Sequence, residues 1–174
     1  MKRWILGCLA AAGLLTLASA AGCWYFFVRE APMLKAGLEL PDRLEVGTAV
    51  AMVIRLSNPH TAAVTLDSID VSDSLLEHFQ VIAVEPEAKD SFHVPLIDQR
   101  SWTFSESVPA GGGFAVTFAL VPIAPGHFTG NVDACNPTQD CRQTSVDVVV
   151  VPAAEPSAGG PDAMLEAAPG SDGG

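Results

Sequence analysis

The sequence predicts an all-β sandwich of seven to eight short antiparallel strands, preceded by one apolar helix. Three observations predict it. Period-two alternation of apolar and polar residues recurs in short runs between residues 37 and 152. Turn residues punctuate those runs at the spacing of sandwich strands. No amphipathic stretch is long enough to form the crossover helix that a parallel sheet requires.

The elements follow in chain order. Lys2 and Arg3 open the chain, and residues 4–28 then contain no charged side chain. At about 1.5 Å per residue such a run crosses a hydrocarbon core of roughly 30 Å with some tilt. Trp4 at one end and Trp24, Tyr25, Phe26 and Phe27 at the other are suited to the two interfaces. Positive charge before the run, and the neutral pair Arg29-Glu30 after it, place residues 1–3 inside and the rest outside. Two other readings exist. Ala18-Ser19-Ala20 has the form of a signal-peptidase site, and Ala20-Ala21-Gly22-Cys23 that of a lipobox with Cys23 as lipidated terminus. The apolar run continues past both through Trp24 to Val28, which favours an uncleaved signal-anchor. All three readings put the remaining chain outside the cytoplasm.

Residues 29–36 read as a juxtamembrane linker, and 37–152 as the folded domain. Val50, Met52, Ile54 and Leu56 share one face of a strand that Ser57-Asn58-Pro59-His60 ends. Residues 61–71 form the returning strand. Ser72 to His78 carries helix-capping residues before a Leu pair, which predicts one helical turn. Phe79 to Val84 is a strand stopped by Glu85-Pro86, and 86–100 reads as a long irregular loop. Trp102 and Phe104 alternate with Ser and Thr ahead of the turn Val108-Pro-Ala-Gly-Gly-Gly113. Phe114, Val116, Phe118 and Leu120 give the clearest alternation, and residues 127–135 and 143–151 supply the last two strands. Phe79, Trp102, Phe104, Phe114, Phe118 and Phe128 are the expected bulky core. Residues 153–174 are rich in Ala, Gly and Pro, hold acidic residues and no basic one, and read as a disordered acidic tail.

All 20 Asp and Glu lie from Glu30 onward, against Lys35, Arg43, Arg55, Lys89, Arg100 and Arg142. That balance offers no basic patch to neutralise phosphates, which excludes a nucleic-acid-binding role. Cys8 and Cys23 sit in the apolar run as small hydrophobes. Cys135 and Cys141 flank a turn-rich segment, and in an oxidising compartment this pair predicts a disulfide pinning a hairpin loop. A redox-active pair is the alternative, although the spacing is not Cys-x-x-Cys.

The run Val53-Ile54-Arg55-Leu56-Ser57-Asn58, leading into Ala63 to Ile69, resembles the strand–Asn–strand signature of bacterial immunoglobulin-like domains of the CARDB type. Val108 to Phe118 is similar to their Pro-Gly turn and following strand. The resemblance covers residues 37–151 and implies an immunoglobulin-like antiparallel β-sandwich with a binding, spacing or assembly role. It transfers no site residues, and the Cys–Trp–Cys arrangement of antibody domains is absent.

Catalytic signatures are missing: there is no Gly-x-Ser-x-Gly, no His-Glu-x-x-His and no phosphate-binding Gly-Lys-Ser/Thr. Gly111 to Gly113 precede a strand, so turn geometry explains them. His60, His78, His93 and His127 are scattered without metal-ligand spacing, and no cofactor or metal is expected. Asp67, Asp70 and Asp73 surround a strand end, where alternation would put Asp67 and Asp70 on opposite faces. Asp133, Asn136 and Asp140 share a loop that could offer oxygens to calcium, a solvated acidic loop being the default.

The expected function is non-enzymatic: a module anchored in the bacterial cell membrane that presents its domain outside and binds an envelope protein. Phe92, Val94, Pro95, Leu96 and Ile97 are the candidate partner-binding loop, weighed against the favoured reading that they fold onto the core. The alternative class is binding of a carbohydrate or cell-envelope polymer, for which Trp102 is the one tryptophan beyond the apolar run.

Overall fold

The computed structural model describes residues 32–154, so the apolar run 4–28 and the tail beyond Ala154 lie outside the described residues. Ten strands and one helical turn follow in order: β1 (Lys35–Glu39), β2 (Arg43–Glu45), β3 (Val50–Ser57), β4 (Val64–Ser72), α1 (Asp73–Leu76), β5 (Phe79–Glu85), β6 (Asp90–Val94), β7 (Gln99–Val108), β8 (Gly113–Pro122), β9 (Gly126–Cys135) and β10 (Cys141–Val151). They form a four-stranded sheet, β1-β3-β8-β5, and a six-stranded sheet, β2-β10-β9-β4-β7-β6. This is an all-β sandwich. No helix among the described residues is long and apolar enough to cross a membrane.

Three strands, β1, β2 and β6, exceed the sequence expectation. β1 begins at Lys35, inside the segment read as a linker, and has a glycine at its centre. β2 has three residues and pairs with β10 in parallel, so the sandwich is not purely antiparallel. β6 lies within the segment read as an irregular loop and pairs with β7 from Asp90↔Thr103 to Val94↔Gln99. Its burial runs exposed at four positions of five, because it overhangs the edge of the larger sheet with neither face covered. Period-two patterning reports one-sided burial, so a strand bare on both sides carries none.

The core lies between the sheets. Met52, Ile54 and Leu56 of β3 and Val116, Phe118 and Leu120 of β8 face Leu66, Ile69 and Val71 of β4, Val132 of β9 and Val146 and Val148 of β10. Phe79, Trp102, Phe104 and Phe118 are buried, while Phe114 and Phe128 are half-buried against the same cluster. The Trp102 and Phe118 rings meet edge to face with centroids 5.0 Å apart.

Asn58, the Asn of the strand–Asn–strand motif, explains itself structurally. Its buried Nδ2 lies 2.8, 2.9 and 3.2 Å from the carbonyls of Ala62, Val108 and Pro109, and its Oδ1 accepts from the His60 N–H. One side chain thereby ties the β3–β4 turn to the β7–β8 turn and satisfies carbonyls that leave the ladder. In the second turn the Gly112 N–H donates to the Pro109 carbonyl, and Gly111 takes the positive φ, 67°, that a side chain disfavours.

The helical turn expected at Ser72 forms as α1. Ser72 makes no capping bond; its hydroxyl accepts from the Asn131 N–H of β9 instead. A Cβ at Gly130 would stand 2.5 Å from that hydroxyl and 2.9 Å from the Leu75 Cβ, so the glycine is what lets α1 lie on the sheet.

Candidate functional site

Two hairpins of the six-stranded sheet carry the residues of interest. The first joins β6 to β7. Leu96 is 94% exposed, Ile97 54% and Phe92 48%; Pro95 is also exposed and Val94 half-buried. Core packing of this segment, the favoured expectation, is therefore overturned. The physical reason is the overhang: β6 lies outside β7, beyond the last strand with a covered face. The tip is a short turn in which the Ile97 N–H donates to the Val94 carbonyl and Asp98 adopts φ 48°. Tight backbone closure points the apolar side chains outward. Outer edge strands commonly carry charge or proline against unwanted pairing; β6 carries Asp90 and His93, with Pro95 just beyond.

Beside the hairpin a cleft of about 410 Å³ opens between β5 and β7, lined by Asp73, Leu76, Glu77, Phe79, Val81, Arg100 and Trp102. Its rim holds a grouping that linear spacing concealed. His93 Nε2 lies 2.6 Å from Asp73 Oδ2, and Asp98 offers an oxygen within 4.8 Å of both. These residues come from β6, α1 and the β6–β7 turn, and the Asp73 N–H donates to the Asp98 carbonyl, which fixes the turn against α1. His60, His78 and His127 are elsewhere. His78 stacks on Phe128 at a centroid distance of 4.0 Å, and His127 Nε2 lies 2.6 Å from Asp147 Oδ1.

The second hairpin joins β9 to β10 and holds the expected disulfide between Cys135 and Cys141, which stand directly opposite each other in the ladder. Its loop is satisfied from within. Asn136 Oδ1 accepts from the Thr138 and Asp140 N–H groups, and Thr138 Oγ1 lies 2.6 Å from Asp140 Oδ2. The Asn136 and Asp140 oxygens considered for calcium are thus engaged in holding the turn, while Asp133 lies in β9 and not in the loop.

The structure joins one member of each acidic cluster. Asp70 of β4 is the ladder partner of Asp133 of β9, and both are only 7% exposed. The register of β4 against β7 shifts between Leu66↔Glu106 and Ser68↔Thr103, where the extra residue lies in β7, and Leu66 and Ile69, three apart on β4, are both buried. Strict alternation, which would set Asp67 and Asp70 on opposite faces, is broken between the two buried residues Leu66 and Ile69, and the charge of Asp67 acts on Asp70. Gln99 Nε2 donates to Asp133 Oδ2 at 2.7 Å, whereas Asp70 Oδ1 is buried without a hydrogen-bond partner. Burial pushes the Asp70 carboxyl above the usual carboxylate range; Ser101 and Ser68 oppose the shift, and the charges of Asp133 and Asp67 reinforce it. Asp70 Oδ2 lies 3.3 Å from Cys135 Sγ. Sequence patterning missed this arrangement because the ladder register of β4 against β9 creates it, and register is not written in local spacing.

The sandwich is similar to CARDB-type immunoglobulin-like domains. A crystal structure of a CARDB domain from Pyrococcus furiosus, in complex with di-metal ions, matches 70% of this chain and 90% of that one at 16% identity and a TM-score of 0.46. A solution structure of the same domain matches 71% and 98% at 15% identity and a TM-score of 0.45. A cohesin module of a family 33 glycoside hydrolase from Clostridium perfringens matches 70% and 99% at 10% identity and a TM-score of 0.49. No family model matches the chain, and no curated protein does. At these identities the likeness concerns strand architecture alone.

Proposed function

We propose that this chain is a non-catalytic binding or assembly module, anchored in the membrane by residues 4–28, that holds its sandwich outside and meets an envelope protein. The observation that supports it is the β6–β7 hairpin, where Phe92, Leu96 and Ile97 are exposed together at an open sheet edge. Exposed apolar side chains at a strand edge suit addition of a partner strand, with backbone bonds supplying affinity and the side chains selectivity. The charge-free run and the positive charges before it support the anchor and its orientation. Crosslinking of the full-length chain in its native membrane, followed by mass spectrometry, tests this reading. An envelope-protein partner joined through residues 86–100, and lost in a Phe92→Ser/Leu96→Ser/Ile97→Ser variant, is the expected result. Self-crosslinks alone would contradict it.

A second reading is a small carbohydrate held in the cleft, where Trp102 sits beside Asp73, Glu77 and Arg100. Trp102 is largely buried against Phe118, so it offers an edge and not an open stacking platform. Glycan-array binding that disappears in Arg100→Ala while the fold persists would move this reading to the front.

A further inference from the structure

Cys135 and Cys141 differ sharply in surroundings. Cys135 is 1% exposed, Cys141 is exposed, and the carboxyl of Asp70 lies within 4.8 Å of both sulfurs. A disulfide sulfur carries no hydrogen, so the 3.3 Å contact between Asp70 Oδ2 and Cys135 Sγ is a hydrogen bond only if Asp70 supplies the proton. Protonation also fits the other oxygen, which is buried and unpartnered, a state costly for a carboxylate. The charged groups acting on Asp70 from its own strand and from β9, Asp67 and Asp133, are both acidic, and Ser101 is the neighbour from β7. An accessible sulfur, a buried sulfur and a buried acid beside the buried sulfur are the three parts of a thiol–disulfide exchange centre.

We propose that Cys135–Cys141 is an exchange centre in which Cys141 is the sulfur attacked by an external thiolate, and Asp70 protonates the departing Cys135. In the first step the thiolate of a low-molecular-weight or protein thiol attacks Cys141 Sγ. A new S–S bond forms to Cys141, the Cys135–Cys141 bond breaks, and Cys135 leaves with the electron pair. Asp70 transfers its proton to that thiolate and becomes a carboxylate. A second external thiolate then attacks the outer sulfur of the mixed disulfide and releases Cys141, leaving the external thiols oxidised and the protein pair reduced by two electrons. The reverse sequence reduces an external disulfide and restores the Cys135–Cys141 bond. Attack at Cys135 is blocked by its burial, which gives the centre one direction of entry.

The test uses the full-length chain and glutathione. Reduction is followed by alkylation and intact mass across pH, with rates divided by the concentration of glutathione thiolate. The expected rate is proportional to glutathione and falls as pH rises through the titration of Asp70; Asp70→Asn lowers the acid-side rate about tenfold or more and flattens the pH profile. In parallel, with oxidised glutathione as the probe, Cys135→Ser is expected to form a glutathione mixed disulfide at Cys141 while folded, one glutathione thiol leaving, and Cys141→Ser to leave Cys135 unmodified until denaturant is added. A rate independent of glutathione concentration, set by unfolding, would overturn the proposal. So would an unchanged pH profile in Asp70→Asn, or equal trapping at the two cysteines.

Discussion

The two hairpins of the six-stranded sheet have tips of similar length but opposite construction. Between β9 and β10 the turn is covalently closed, its Asn136 oxygen gathers two backbone N–H groups, and its tip is polar. Between β6 and β7 a single turn bond from Ile97 to Val94 closes a tip that holds Pro95, Leu96 and Ile97. The polar tip is explained by its own folding. The apolar tip is not: nothing among the described residues covers it, and water alone would favour polar residues there. A loop whose composition its own fold does not require is the better candidate for contact with something else.

Removing the disulfide with Cys135→Ala/Cys141→Ala is expected to cost the most, about 2 kcal/mol from the added entropy of the unfolded chain for a separation of six residues. Urea unfolding of the variant checks this; an unchanged midpoint would mean the hairpin needs no covalent closure. Asn136→Ala strips two partly buried N–H groups of their acceptor and is expected to cost about 1 kcal/mol. Amide exchange at Thr138 and Asp140 should rise in that variant while β6 is unaffected.

The third expectation concerns pH. The folded protein holds Asp70 above its ordinary range, so the unfolded state releases that proton more readily. The stabilising contribution is full below the unfolded carboxylate range, about 3.9, and is lost as pH rises through the folded value. Asp70→Asn is expected to raise the melting temperature at neutral pH and to flatten its dependence on acidification. A lower melting temperature at neutral pH would show instead that the ionised carboxylate supports the sheet. The smallest effect belongs to the apolar tip: Phe92→Ser/Leu96→Ser/Ile97→Ser should change stability by no more than about 0.5 kcal/mol, since these side chains are half or more exposed. A larger loss in thermal unfolding would mean that the tip is part of the fold after all.

What was legible in the sequence follows from what burial imprints on it. β3 and β8 are covered on one face and alternate plainly, so they and the aromatic core around Phe118 could be read directly. The disulfide was legible because both cysteines flank one short polar segment. β6 was not, because an overhanging strand has no inside to mark. Nor was the pairing of Asp70 with Asp133, which depends on the register of β4 against β9. The group of Asp73, His93 and Asp98 was equally hidden, since three separate elements supply it.

The contrast between the hairpins reduces to one measurement on the full-length chain in its native membrane. A photocrosslinking side chain is placed at Leu96 in one sample and at Thr138 in another. A discrete adduct with another envelope protein is expected from position 96 and none from position 138. Equal adducts from both positions, or none from position 96, would contradict that expectation.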